Sequence, residues 1–202
     1  MKKNIVLIFT RNPELGKVKS RLAKGVGQAS ALEIYKKLLS HTKDVVSTIN
    51  CTKRVGYSIK VRNNDMWDNS IFEKFQQEGE DLGVRMYNAF EKAFADGYDN
   101  VLIIGSDLYD LRASHIKEAF NALHTNDAVI GPAQDGGYYL LGMNKLVKDV
   151  FYNKEWGGDS VYKQTMEDLS TERVHNLAML NDIDYAEDLA PYPIFQQYLQ
   201  KD

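Results

Sequence analysis

Carboxylates and cations cluster in this sequence at the positions where α/β proteins do chemistry. The run Val101-Leu-Ile-Ile-Gly-Ser-Asp107 reads as a strand buried on both faces, closed by Gly105, with Asp107 just past its C-terminal end. Open α/β sheets bind ligands at that edge. A carboxylate there, with Asp110 three residues on, is placed to hold a divalent cation against a phosphate. The simpler alternative is that Asp107 closes a turn or caps a helix starting near Ser114.

Lys17, Lys19 and Arg21 alternate in a loop made by Pro13 and Gly16, directly after the apolar run of residues 5–9. Nucleotide-binding α/β folds hold phosphates in that place; a solvated charge cluster is the plainer reading. Asp182 and Asp184 are two residues apart, so an extended segment points both the same way. Asp184 could also cap a helix with Glu187 three residues on, an explanation Asp182 lacks. Asp135-Gly136-Gly137 between two apolar runs signals a hairpin, and its glycines also allow close backbone approach to a substrate. Arg85 follows Gly83, a residue costly in a helix and so a mark of close approach; it is placed to reach an anion. Asp81, just before, suits the start of that helix through its dipole.

The elements that must position these residues follow from hydrophobic periodicity. Residues 5–9 predict a central strand. Residues 28–49 predict a helix with Leu32, Tyr35, Leu38, Leu39, Val45 and Val46 on one face. Residues 54–61 and 71–76 predict two further strands, and Trp67 between them is assigned to packing. A helix carries Leu82, Met86, Ala89, Phe90, Ala93 and Phe94 on its buried side; another, capped by Ser114, carries Ile116, Ala119, Phe120 and Leu123. Residues 128–130 predict a strand leading into the Asp-Gly-Gly turn. Asp159 is expected to cap a helix through Leu169, and residues 174–180 to form the last strand.

Composition narrows the function. The 202 residues suit one domain, and 44% apolar content is enough for a sizeable core. A net charge of −3 argues against a general nucleic-acid binder. Cys51 stands alone, which excludes an internal disulfide and a cysteine zinc site. No run reaches the roughly 18 apolar residues of a membrane span. The apolar run after Met1 is too short for a signal peptide, so a cytoplasmic location is the expectation. Gly16-Lys17 is followed by Val18, so this is not a Walker A loop. The 25–30 segment lacks a third glycine and is not a dinucleotide fingerprint. The sixth position from Asp182 is Glu187, which excludes an EF-hand, and the four histidines show no ligand spacing.

Five segments in order, around Lys17 to Arg21, Asp81 to Met86, Ile104 to Asp107, Gly131 to Gly142 and Asp182 to Asp184, resemble a family of small bacterial glycosyltransferases with the GT-A, nucleotide-diphospho-sugar transferase, fold. The resemblance spans about residues 5–189. A more distant similarity runs to phospholactate and phosphoenolpyruvate guanylyltransferases, in which three aspartates at these positions hold Mg2+. The resemblance implies a single-domain, three-layer α/β/α sandwich with a mixed, mostly parallel sheet. It implies Asp107, Asp182 and Asp184 as ligands of Mg2+ or Mn2+, and Lys17, Lys19, Arg21, Arg85, Gly136 and Gly137 on a nucleotide or nucleotide-sugar donor. Asp107 and Asp135 are the candidates for catalysis, with a small-molecule acceptor. Asp135 enters because no metal role is assigned to it. The chain departs from the family at Leu108-Tyr109, where a small residue and proline are usual, and at Tyr185, where threonine is usual.

Overall fold

The computed structural model describes residues 2–199. Seven strands form one sheet among them: β1 (Asn4–Thr10), β2 (Thr52–Tyr57), β3 (Glu73–Gln76), β4 (Asn100–Ile104), β5 (Ala128–Pro132), β6 (Tyr138–Met143) and β7 (Val174–Asn176). Their order is β3-β2-β1-β4-β6-β5-β7. Only β6 runs against its neighbours β4 and β5, and the other pairings are parallel, so the sheet is mixed and mostly parallel as expected.

Alternation along the two middle strands sorts side chains onto two cores. Val6, Ile8, Leu102 and Ile104 face α2 (Gln28–Ser47) and α4 (Ala113–Ala122). Ile5, Leu7, Val101 and Ile103 face α3 (Leu82–Ala95) and the aromatic residues ahead of α5 (Val161–Asp168). Helices on both faces make three layers. Burial on both faces explains why β4 reads as a continuous apolar run, with every residue from Asn100 to Ile104 buried.

Chain direction reverses its spread at β1: β2 and β3 lie to one side, β4 and its neighbours to the other. A crevice opens outside the carboxyl ends of strands at such a switch point. The loops that follow β1 and β4 therefore meet there, carrying Lys17 to Arg21 and Asp107.

The structure corrects several local expectations. The loop after β1 contains a short helix, α1 (Ser20–Val26), which its charged composition hid. Arg112, not Ser114, occupies the cap of α4, and Ser160, not Asp159, that of α5. The second and last strands end early, at Tyr57 and Asn176, although Leu180 still makes a parallel bridge to Ala133. Leu82, expected on the buried side, is the first residue of α3 and is 42% accessible. Trp67 is buried against Phe72, as its assignment to packing requires.

Candidate active site

The site begins with the backbone at Lys19. This residue precedes α1 in the left-handed region, φ 48° and ψ 49°, a conformation uncommon outside glycine. It turns the chain so that a lysine in a charged loop ends with a side chain only 5% exposed. Its Nζ donates to Asp107 Oδ2 at 2.9 Å and Asp184 Oδ1 at 2.8 Å. Burial opposes its charge, but the paired carboxylates more than offset this and hold the ammonium above the usual lysine range. Burial likewise pushes Asp107 up, while Lys19, and less strongly Arg11, prevail and hold its carboxyl below the usual range.

Asp182 completes the group. One carboxylate oxygen from each of Asp107, Asp182 and Asp184 lies within 4.8 Å of the others. Between the two late aspartates Ile183 is fully buried with Leu22, Leu189 and Phe195. Its amide donates to the Asp107 carbonyl at 3.4 Å. That anchor aims Asp182 and Asp184 at one place, as their spacing predicts. Asp184 is not spent on a cap: Asp188 accepts from the amides of Asp184 and Tyr185. Burial first, then the charges of Asp107, Asp135 and Asp184, push the Asp182 carboxyl up to about 7. Its Oδ1 is buried without a hydrogen-bond partner.

Such an orphan costs free energy unless something donates to it. Three carboxylates and no nitrogen or sulfur donor make a set suited to a hard divalent cation such as Mg2+ or Mn2+. The residues present fit such an ion on the evidence of that unpaired oxygen.

The remaining candidates divide. Arg21 Nη1 lies 3.4 Å from Asp184 Oδ2, half exposed and over the Tyr185 ring. Lys17 is exposed at the loop surface. Asp135 and Gly137 line a cleft of about 200 Å³ that shares Asp107 and Asp182 with the carboxylate group. Asp135 Oδ1 accepts from the Gly137 amide at 2.8 Å, so it also serves as the turn residue of the β5–β6 hairpin. Gly136 turns away: a Cβ there would lie 2.1 Å from the Asp159 carbonyl oxygen, and its own carbonyl accepts from Tyr162. Its glycine is required by contact with its own chain, at φ 88°.

Two expectations are replaced. Arg85 does not line the cleft; its Nε donates to the Gly79 carbonyl at 2.9 Å, tying down the loop ahead of α3. The close approach marked by Gly83 is to the Phe151 carbonyl and the Trp156 ring, which a Cβ would meet at 2.0 and 2.6 Å. Asp110 is likewise outside the carboxylate group, since it accepts from the Tyr192 hydroxyl at 2.6 Å. The unusual Leu108-Tyr109 pair is explained by packing: Leu108 is buried, and Tyr109 stacks edge-on with Tyr192 and Phe195.

The residues that sequence reasoning missed are the ones that hold the two loops together. The Tyr35 hydroxyl contacts Thr10 Oγ1, the Arg11 amide and Ser106 Oγ, bridging the ends of β1 and β4. Asn12, 1% exposed, clamps the same loop to the backbone of Ile59 and Lys60. Nothing in sequence distinguishes Tyr35 from its core neighbours on α2. Arg11 had one signal, its place directly after an apolar run.

Comparison with other proteins agrees with this fold. Residues 42–158, more than half the chain, match the family described as "Uncharacterized protein conserved in bacteria (DUF2064)". The chain belongs to that family. A solved structure from Desulfovibrio desulfuricans G20, described as a "putative nucleotide-diphospho-sugar transferase", is 35% identical over 92% of this chain and 84% of its own, with a TM-score of 0.83. The fold recurs in the 4-diphosphocytidyl-2C-methyl-D-erythritol synthase of Anaerococcus prevotii DSM 20548, with TM-score 0.64, 14% identity and coverage of 99% and 97% of the two chains. It recurs again in a CMP:2-keto-3-deoxy-manno-octonic acid synthetase solved with CTP, with TM-score 0.57, 9% identity and coverage of 97% and 99%. No curated protein matches the sequence. No described helix is long and apolar enough to cross a membrane.

Proposed function

We propose that this protein is a metal-dependent transferase taking a nucleotide-activated donor, with transfer of a glycosyl group from a nucleotide sugar as the leading reaction. The observation that supports it is the meeting of Asp107, Asp182 and Asp184 with Lys19 and Arg21 at the switch-point crevice, beside a cleft for a second molecule. The 35% identical relative carries the corresponding description, which favours the sugar reading.

The three aspartates would hold Mg2+ or Mn2+, which when bound supplies positive charge to the donor's diphosphate. Lys17, Lys19 and Arg21 would bind phosphate oxygens and stabilise the charge that builds on the leaving group. Lys19 would then exchange part of its carboxylate contact for phosphate. In the transfer, the acceptor oxygen forms a bond to the sugar's anomeric carbon. The bond from that carbon to the diphosphate breaks, and the nucleoside diphosphate departs with the electron pair. The hydroxyl proton must leave the acceptor, and Asp135 is the cleft carboxylate outside the metal-holding group that could receive it.

The second reading is nucleotidyl transfer, in which a phosphate oxygen of the acceptor attacks a nucleoside triphosphate and pyrophosphate leaves. It is favoured by fold neighbours that match the chain end to end and are described as cytidylyl-type synthases. It also fits the involvement of Asp135 in a turn, because that reaction needs no base.

Thermal unfolding with nucleoside triphosphates, diphosphates and nucleotide sugars, each with Mg2+, Mn2+ or EDTA, tests both readings. Metal-dependent stabilisation by a diphosphate or its sugar supports glycosyl transfer. Stabilisation confined to one triphosphate supports nucleotidyl transfer. Asp107→Asn should remove the metal-dependent stabilisation; equal binding with and without metal in the parent protein defeats the site assignment.

A further inference from the structure

The crevice is sorted by charge, and the sorting has a consequence for the second substrate. The cations of the site, Lys17, Lys19 and Arg21, lie on the β1–α1 loop and the first turn of α1. The cleft on the other side of Asp107 is lined by three charged side chains, Asp107, Asp135 and Asp182, and by no lysine, arginine or histidine. Its walls are apolar or aromatic, chiefly Phe9, Leu82, Met86, Tyr138, Trp156 and Val161. Trp156 is seated by Gly83, whose missing side chain lets the indole rest on the backbone of α3. Arg85, the cation nearest in sequence to that wall, is committed to the Gly79 carbonyl.

We propose that this cleft receives an uncharged, hydroxyl-bearing acceptor with an apolar face, and discriminates against molecules presenting phosphate or carboxylate at the entering end. Asp107 is paired with Lys19 and, with Asp182, belongs to the metal-holding group, but Asp135 does not, and an anion entering beside it would find no lysine, arginine or histidine in the lining. A neutral ring meets aromatic and aliphatic walls, and its hydroxyl finds the carboxylates as acceptors. About 200 Å³ is below the roughly 300–1,000 Å³ of sites for drug-sized ligands, a size suited to a ring-sized fragment. This inference rests on the transferase reading, and of its two forms it excludes the one with a phosphorylated acid as acceptor.

The test uses a matched pair of nitroaromatic probes, 4-nitrobenzyl alcohol and 4-nitrobenzoate, whose rings quench tryptophan fluorescence. Saturable quenching of the wild-type protein by the alcohol, at least tenfold tighter than by the benzoate and lost in Trp156→Phe, is the expected result. Leu82→Arg places a cation at a cleft position already 42% exposed, so folding is not at risk; it should narrow or invert that preference. Equal or tighter binding of the benzoate, or no saturable quenching by either probe, overturns the proposal. So does displacement of the alcohol by a free nucleoside, which would make the cleft a nucleobase seat. Thermal unfolding of the same protein with nucleoside diphosphate and Mg2+ separates the two levels. Stabilisation there with failure of the probes sinks this inference alone. Probe selectivity without stabilisation by any nucleotide sinks the transferase reading.

Discussion

Two buried lysines in this protein have nearly the same exposure and opposite surroundings. Lys74, 6% exposed, pairs with Asp65 at 2.8 Å and also donates to the carbonyls of Arg62 and Asn63. Asp65 in turn accepts from the Tyr57 hydroxyl and the Trp67 amide. One cation meets one carboxylate and both are satisfied, so the group is closed. Lys19, 5% exposed, meets two carboxylates, with a third beside them whose Oδ1 has no partner. A half-exposed Arg21 and, less strongly, Arg11 add positive charge. The first arrangement stitches a loop to the sheet. The second holds surplus negative charge in a crevice, a state that stability alone does not favour and that a bound cation would relieve.

That contrast can be broken directly. Removing either ammonium strands a partly buried carboxylate, so Lys19→Met and Lys74→Met should each cost about 1–2 kcal/mol in EDTA, a buried-pair penalty reduced by solvent screening, measured by thermal or urea unfolding. Saturating Mg2+ should restore part of the loss in Lys19→Met and none in Lys74→Met. The same response in both variants would erase the distinction.

The second effect is a gain. Asp182 is held at about 7 in the folded protein against about 3.9 when unfolded. The folded state therefore binds the extra proton: full stability is present below about pH 4, and it is lost as pH rises through about 7. Asp182→Asn lacks this loss. In EDTA at pH 8 it should exceed the parent by about 1–2 kcal/mol, allowing for partial solvent access, and the gain should vanish toward pH 4. Unfolding midpoints across that range decide it.

Smaller effects sharpen the border of the site. Arg21→Ala should leave unfolding within about 1 kcal/mol of the parent while weakening metal-dependent nucleotide binding about tenfold, as expected for a lost charge-assisted contact. Arg85→Ala should cost about 1 kcal/mol for its hydrogen bond to Gly79 and leave nucleotide affinity unchanged, measured by calorimetry. A loss of affinity there would return Arg85 to the site.

Much of this is legible in the sequence. Continuous apolar runs gave away the central strands because both of their faces are covered, and the Asp-Gly-Gly turn marked the β5–β6 hairpin because few other sequences make so tight a reversal. The two-residue spacing of Asp182 and Asp184 carried their common direction, since extended chain alternates sides. Less was legible where a residue's role depends on a partner far along the chain. Gly83 signals a close approach and Gly136 an approach to substrate, but the approaching atoms belong to Phe151 and Trp156 at the first and to Asp159 of the same chain at the second. Asp110 has the same local surroundings as Asp107, and only the distant Tyr192 takes it out of the carboxylate group.

By itself, then, the sequence determined most element types and the residue classes that surround the crevice, because periodicity and turn chemistry act over a few residues, while the layering followed from the family resemblance. The tertiary structure alone decided which charges meet. Lys19 reaches carboxylates 88 and 165 residues away, and does so through a left-handed turn that local preference does not favour. Ionic partners are chosen by where strand ends converge, and strand order is set by burial of the whole sheet.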